Sequence, residues 1–98
     1  MSGIGRRRQP VIEVLFFGKL RETMGAASWQ IDLSKLGPAP TADEVLSAAF
    51  DHLAQGRENL AADTRKGLRC AINQNMTDFS ACVEDHDEIA FFPPVTGG

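Results

Sequence analysis

A chain of 98 residues with 43% hydrophobic and 23% charged side chains has room for one domain with a modest core, and no apolar stretch in it approaches the roughly 20 residues of a membrane-spanning helix. The net charge of −3 is uneven: the first ten residues hold Arg6, Arg7 and Arg8 and no acid, so the remainder carries seven basic and 13 acidic side chains, a net of −6. An acidic fold argues against nucleic acid, whose affinity rests on basic contacts to phosphate, and favours a basic protein surface as partner.

The opening Met-Ser-Gly-Ile-Gly-Arg-Arg-Arg lacks the apolar core of a secretory signal. Residues 1–10 are expected to form a disordered arginine-containing segment, with a short organelle-targeting signal as the alternative. Without a secretory signal, the two cysteines, Cys70 and Cys82, predict no disulfide framework. The expected compartment is the cytoplasm.

Val11–Phe17 follows Pro10, is rich in β-branched and aromatic residues, and reads as a first strand ended by Gly18. Leu20–Met24 fits a single short helical turn closed by Gly25. Ser28–Leu33 alternates, with Trp29, Ile31 and Leu33 on one face and Gln30 and Asp32 on the other, which predicts a half-buried strand forming a hairpin with the first. Gly37-Pro38-Ala39-Pro40 breaks the chain. Thr41, with Glu44 three residues on, matches a capping box, and Val45, Leu46, Ala49, Phe50 and Leu53 then recur at helical spacing up to a stop at Gly56. Leu68, Cys70 and Ile72 alternate with Arg69, Ala71 and Asn73, giving a third strand. Asn75–Ser80 reads as a loop with a very short strand near Phe79, and Glu84–Asp87 as a solvated turn, with attraction to a basic partner as the alternative. Glu88–Phe92 is a last strand, stopped by Pro93-Pro94.

Strand, strand, helix, strand, strand predicts an α+β fold of the ubiquitin-like β-grasp kind: a mixed sheet with one main helix packed on one face. The domain is expected to span residues 11–94, followed by a flexible tail, 95–98, that ends in Gly97-Gly98. Two prolines stiffen the exit from the sheet. Two glycines without Cβ can pass through a narrow channel and leave the terminal carbonyl open to attack.

Asp87–Gly98 closely resembles the ending of the molybdopterin synthase small-subunit family. Leu15–Glu22 resembles that family's first strand and following turn, and Ala71–Gln74 its central strand and Asn-Gln bend. The resemblance runs in order from Val11 to Gly98. It implies that a ubiquitin-activating-type adenylyltransferase adenylates Gly98 with ATP. A sulfur donor system then replaces AMP, and sulfur is carried as a C-terminal thiocarboxylate with no permanently bound cofactor. The tail would enter the large subunit of a heterotetrameric synthase and give its sulfur to cyclic pyranopterin monophosphate. A second charged carrier would supply the second sulfur. Two features depart from the family: His86 stands where it often has glycine before the last strand, and the segment before Val11 is unusual.

Period-2 alternation puts Ile12, Val14 and Phe16 on one face of the first strand and Glu13, Leu15 and Phe17 on the other. Glu13 marks its face as the one the helix leaves open, which exposes Phe17. Glu88, Ala90 and Phe92 share a face of the last strand, its parallel neighbour in a β-grasp sheet. Phe17 and Phe92 are therefore expected side by side, with Met76 placed to join them as a partner site; burial of one or both in the core is the alternative. The resemblance puts the large-subunit interface at Phe17, Met76 and Phe92 and extends it through Pro93, Pro94, Val95 and Thr96, with Gly97 and Gly98 as the reactive end.

Lys19 and Arg21 read as solvated charges, with contact to the activating enzyme as the alternative. Cys70 is expected in the core. Cys82 carries no mark of an activated thiol, and His52 and His86 have no metal-ligand spacing. No nucleophile–base constellation or phosphate loop is present, so no autonomous catalysis and no metal are expected. Two other functions compete: a carrier or modifier for another pathway, such as thiazole synthesis, tRNA thiolation or protein conjugation, and an interaction module with an incidental tail.

Overall fold

Alternation decides which way the first strand faces. The computed structural model describes residues 10–55 and 66–93, and in it β1, Val11–Phe16, buries Ile12, Val14 and Phe16 while Glu13 stays exposed. Gly18 ends the strand, and α1, Lys19–Met24, drops Leu20 and Met24 into the core. Gly25 closes α1 in the left-handed conformation, its N–H donating to the Arg21 carbonyl at 2.8 Å. β2, Ser28–Asp32, returns antiparallel to β1, pairing Val11 with Asp32 and Leu15 with Ser28. α1 occupies the connection, so the pair is a wide antiparallel unit rather than a tight hairpin.

Thr41 starts α2, Ala42–Leu53, through both halves of a capping box. The Glu44 N–H donates to Thr41 Oγ1 at 3.2 Å, and the Thr41 N–H donates to Glu44 Oε1 at 2.9 Å. Val45, Leu46, Ala49 and Phe50 form the buried stripe of this helix. β3, Arg69–Ile72, β4, Asn75–Thr77, and β5, Glu88–Phe92, complete a five-stranded sheet of order β2-β1-β5-β3-β4. β1 and β5 run parallel and the other pairs antiparallel. Ile12, Val14, Phe16, Cys70, Ile89 and Phe91 meet the α2 stripe in one hydrophobic cluster. The expected α+β β-grasp architecture is therefore the observed one. Burying a single Phe16 or Phe91 contributes roughly 1.5–3 kcal/mol.

The end of β2 and the place of β4 differ from expectation. β2 stops at Asp32, and Leu33–Leu36 forms a 3₁₀ turn capped by Asp32, which accepts from the Ser34 N–H at 2.9 Å and its hydroxyl at 2.7 Å. Leu33 is buried either way, so alternation alone could not mark the change. The short strand after β3 lies at Asn75–Thr77 and not near Phe79. Asn73 and Gln74 both take positive φ, 51° and 71°, the two-residue reversal that suits strand twist, so pairing resumes at once with Ile72 opposite Asn75. Phe79 sits in the next turn, stacked on Phe91 with ring centroids 6.1 Å apart. α2 ends at Leu53 with Ala54 as its cap, while Gly56 lies outside the described residues. So do Arg6–Arg8 and the segment Pro94–Gly98, including the proposed tail boundary at 95. No helix among the described residues is long and apolar enough to cross a membrane.

Candidate functional site

The helix covers one face of the sheet, and the other face carries the candidate site. β1 and β5 run in register, Leu15 beside Ala90 and Phe16 beside Phe91. Phe16 and Phe91 point into the core. One step further, at the same end of both strands, Phe17 and Phe92 fall on the opposite face, tied by a hydrogen bond from the Phe17 N–H to the Phe91 carbonyl at 3.1 Å. Phe17 is 45% exposed and Phe92 is half-buried. Phe17 and Met76, the latter 61% exposed, are the exposed large hydrophobic side chains among the described residues.

A continuous row joins them. Leu15 pairs with Ala90, Ala90 with Ala71, and Ala71 with Met76, and residues directly opposite share a face. Ala71 is nearly covered although it stands outside the helix-side core. The small side chains of Ala71 and Ala90 thus leave a shallow apolar floor between Phe17, Phe92 and Met76. Leu15 and Ala90 were placed on this face by alternation, but their part in the floor appears only once the strand order is known.

The opposite end of the same face is acidic. Glu13 lies beside Glu88 in the parallel register, and a shallow depression there is lined by Gln30, Asp85, His86 and Asp87. Asp85 accepts from the Val11 N–H at 3.0 Å. Asp87 turns inward, accepting from the Glu84 N–H and from Asn73 Nδ2, both at 2.8 Å. His86 takes the positive φ, 74°, that glycine would meet more easily. Because β1 and β5 both start at the acidic end and finish at the phenylalanines, the face is polarised along the strands.

Other candidates lie elsewhere. Cys70 is fully buried, and burial, with the nearby Asp78 carboxylate, pushes its thiol up, away from the reactive thiolate. Cys82 is exposed and bridges to Thr41 at the start of α2. His52 stacks on Trp29 with ring centroids 5.5 Å apart. Among the described residues no group of three or more His, Cys, Asp or Glu could hold a metal ion. Lys19 and Arg21 are exposed on α1, and Pro93, just past β5, is exposed. Pro94, Val95, Thr96, Gly97 and Gly98 lie outside the described residues. Gly18, legible in the sequence as the end of the first strand, closely approaches the Pro93 ring, a neighbour that no local pattern marks.

Residues 14–98 match the model of the ThiS family. The chain is 40% identical over 89 residues to the molybdopterin synthase sulfur carrier subunit of Haemophilus influenzae, which covers 90% of this chain and 100% of that protein. It is 36% identical over 89 residues to the protein of the same name from Escherichia coli, again covering 90% and 100%. Among solved structures, SAMP1 from Haloferax volcanii superposes with a TM-score of 0.68 at 22% identity, covering 90% of this chain and 99% of that one. A chain from the complex of subunits 1 and 2 of the molybdopterin-converting factor of Helicobacter pylori superposes with a TM-score of 0.56 at 21% identity, covering 90% and 99%. At such identities the solved structures establish a shared fold.

Proposed function

The chain belongs to the ThiS family, and on that premise we propose that it is the sulfur carrier subunit of a molybdopterin synthase, working in the cytoplasm through a thiocarboxylate at Gly98. The observation that carries this reading is 40% identity along 90% of the chain, and along the whole of a relative with that name. The family match also runs through to Gly98.

A carboxylate is a poor acyl donor because its leaving group would be oxide. Attack of the Gly98 carboxylate on the α-phosphorus of ATP, in the active site of an adenylyltransferase of the ubiquitin-activating type, expels pyrophosphate and leaves an acyl adenylate. A sulfur nucleophile from a donor system then attacks the carbonyl carbon, and AMP departs with the bonding electrons. Where that nucleophile is a persulfide on the donor, a thiol of the donor system attacks the S–S bond of the resulting acyl disulfide, and the thiocarboxylate leaves as a disulfide forms on the donor. In the large subunit this sulfur attacks a carbon of cyclic pyranopterin monophosphate as a carbon–oxygen bond there breaks, the oxygen leaving with the electron pair. Water then hydrolyses the resulting thioester, leaving the sulfur on the pterin and returning the Gly98 carboxylate for another round. A second charged carrier supplies the second sulfur of the dithiolene. The catalytic side chains belong to the large subunit and the activating enzyme; this chain supplies the acyl group.

The open sheet face serves docking in this scheme. Phe17, Phe92 and Met76 contact the large subunit, Pro93, Pro94, Val95 and Thr96 lead into its channel, and Gly97 and Gly98 reach the precursor. The acidic end around Glu13 and Glu88 meets a basic partner surface and sets the orientation of docking.

The test is intact-mass analysis after incubation with activating enzyme, ATP and sulfur donor. One C-terminal oxygen should be replaced by sulfur, and the charged protein with large subunit and precursor should yield molybdopterin. Sulfur on Cys82 with an untouched terminus would remove the assignment. Transfer of the terminus onto lysines of other proteins would replace it with the modifier reading.

A further inference from the structure

β2 is the outermost strand on its side of the sheet, with β1 as its neighbour among the described strands. Two hydrogen bonds fix which of its backbone groups face outward. The Phe16 N–H donates to the Ala27 carbonyl at 2.9 Å, and the Leu33 N–H donates to the Pro10 carbonyl at 2.7 Å. Antiparallel partners exchange hydrogen bonds at every second residue, so Trp29 and Ile31, between those two bonds, also turn their backbone toward β1. Ser28, Gln30 and Asp32 therefore turn theirs away from it, along an open edge. Proteins blunt such edges with proline, lysine, a bulge or short length. Ser28–Asp32 holds no proline or lysine, and its register against β1 is unbroken over all five residues. β4, at the opposite edge, is three residues long.

A strand laid along this edge has to match its alternation, and a second copy of β2 does. A two-fold axis at Gln30 gives the symmetric antiparallel register in which all five residues overlap. Gln30 then faces Gln30 and exchanges two backbone hydrogen bonds with it, while Trp29 faces Ile31 and Ser28 faces Asp32. The apolar pairs fall on the helix side, where Ile31 is buried and the half-buried Trp29 stacks on His52 of α2. A groove on that side, lined by Trp29, Leu36, Ala48 and His52, borders the edge and takes the partner's inward side chains. The Ser28 hydroxyl meets a carboxylate of which one oxygen, Oδ1, is held by Ser34 and the other is left to accept. Where the 3₁₀ turn leaves the line of the strand at Leu33 and Ser34, the facing residues are Ala27 and Ala26, which are small. The acidic charge of the fold does not oppose this pairing strongly. Glu13, beside Gln30 on β1, would stand three strand spacings from its counterpart, about 14 Å, beyond the screening length of about 8 Å at physiological salt.

We propose that the β2 edge is a self-association surface: two copies of the chain pair through it, antiparallel about Gln30, into one continuous ten-stranded sheet. The apolar floor of Phe17, Phe92 and Met76 takes no residue from β2, so the pairing leaves that floor open to a partner. Continuity of the sheet puts the two open faces on the same side, and a carrier docked through its own face holds a second one beside it. The interface is small, which corresponds to a weak dimer with a Kd of about 0.1–1 mM.

The experiment follows the full-length chain by sedimentation equilibrium and by amide NMR, from well below that Kd to well above it. With rising concentration the mass should pass from monomer to dimer, and the shift changes should centre on the amides of Ser28, Gln30 and Asp32. Proline is tolerated on an edge strand where its nitrogen faces outward. Gln30→Pro should therefore fold, and by deleting both central donors it should raise Kd about tenfold or more. Phe17→Ala, on the apolar floor, should associate as the wild type does. Should Gln30→Pro fail to fold, Ser28→Pro deletes the flanking donors at the first residue of the strand and should raise Kd about fivefold. In a mixture of labelled and unlabelled chains, Overhauser contacts from the Trp29 ring of one copy to the Ile31 methyls of the other report the register directly. A chain that stays monomeric throughout would leave the edge to a strand of another protein and overturn the proposal. So would shift changes centred on Phe17 and Met76, or an unchanged Kd in folded Gln30→Pro. None of these readouts involves Gly98, so the sulfur-carrier reading is tested separately.

Discussion

Phe17 stands 45% exposed at the end of a strand whose other bulky residues are buried. Cutting it back removes little that the isolated fold depends on. Phe17→Ala should change stability by about 1 kcal/mol or less and weaken the large-subunit complex by about 1–2 kcal/mol, a five- to thirtyfold rise in Kd. Phe92, half-buried, should show the same loss of affinity with a larger share of lost stability. Titration calorimetry beside denaturant melts separates the two, and unchanged affinity for both variants would move the interface off this face. The exposure of Phe17 was legible because Glu13 shares its side of β1, and a charged residue marks the solvent face of an alternating strand. The positive φ at His86 was legible as a departure from a glycine-bearing turn. Gly18 was not legible as a contact, since the residue it meets lies 75 positions away in the sequence.

α2 owes its start to a local signal, and local signals read well. Thr41 and Glu44 satisfy each other's backbone amides whatever the rest of the fold does. Thr41→Ala should cost about 1 kcal/mol, read as a lower denaturation midpoint, while the reaction at Gly98 in the folded fraction proceeds at the native rate. A loss of rate without a loss of stability would connect the helix start to the tail. β4 was misplaced because a turn sets it: once Asn73 and Gln74 both turn left-handed, the strand must follow immediately. Asn73 also ties this turn to the next one, donating to Asp87 and accepting from the Glu88 N–H at 3.0 Å through its side chain. The 3₁₀ turn after β2 escaped because a buried Leu33 fits a strand and a turn equally. Its cap at Asp32 is firm enough for the Ser34 hydroxyl and N–H to hold the carboxyl below its usual range.

At the scale of the molecule, strand order brings the site together. Composition and alternation gave the elements; the β-grasp expectation supplied the parallel β1–β5 pair, which no local pattern specifies. The chemistry proposed at Gly98 requires a free carboxylate at a fixed distance from that pair. One extra alanine after Gly98 keeps a carboxylate but moves it by up to about 3.3–3.6 Å. That variant, or deletion of Gly98, should make no molybdopterin in a reconstituted synthase while folding and binding the large subunit as before. Native-rate product with the added alanine still attached would leave only an interaction module. The same parallel pairing bears on how the molecule takes force. β5 lies between β1 and β3, and its exit at Phe92 is at the far end of the sheet from the start of β1 at Val11. A pull on the tail against that start draws the parallel strands past one another, so their hydrogen bonds resist together in shear instead of opening one at a time like a zipper. In the proposed cycle, this pairing lets a partner draw the tail in and release it without unravelling the sheet.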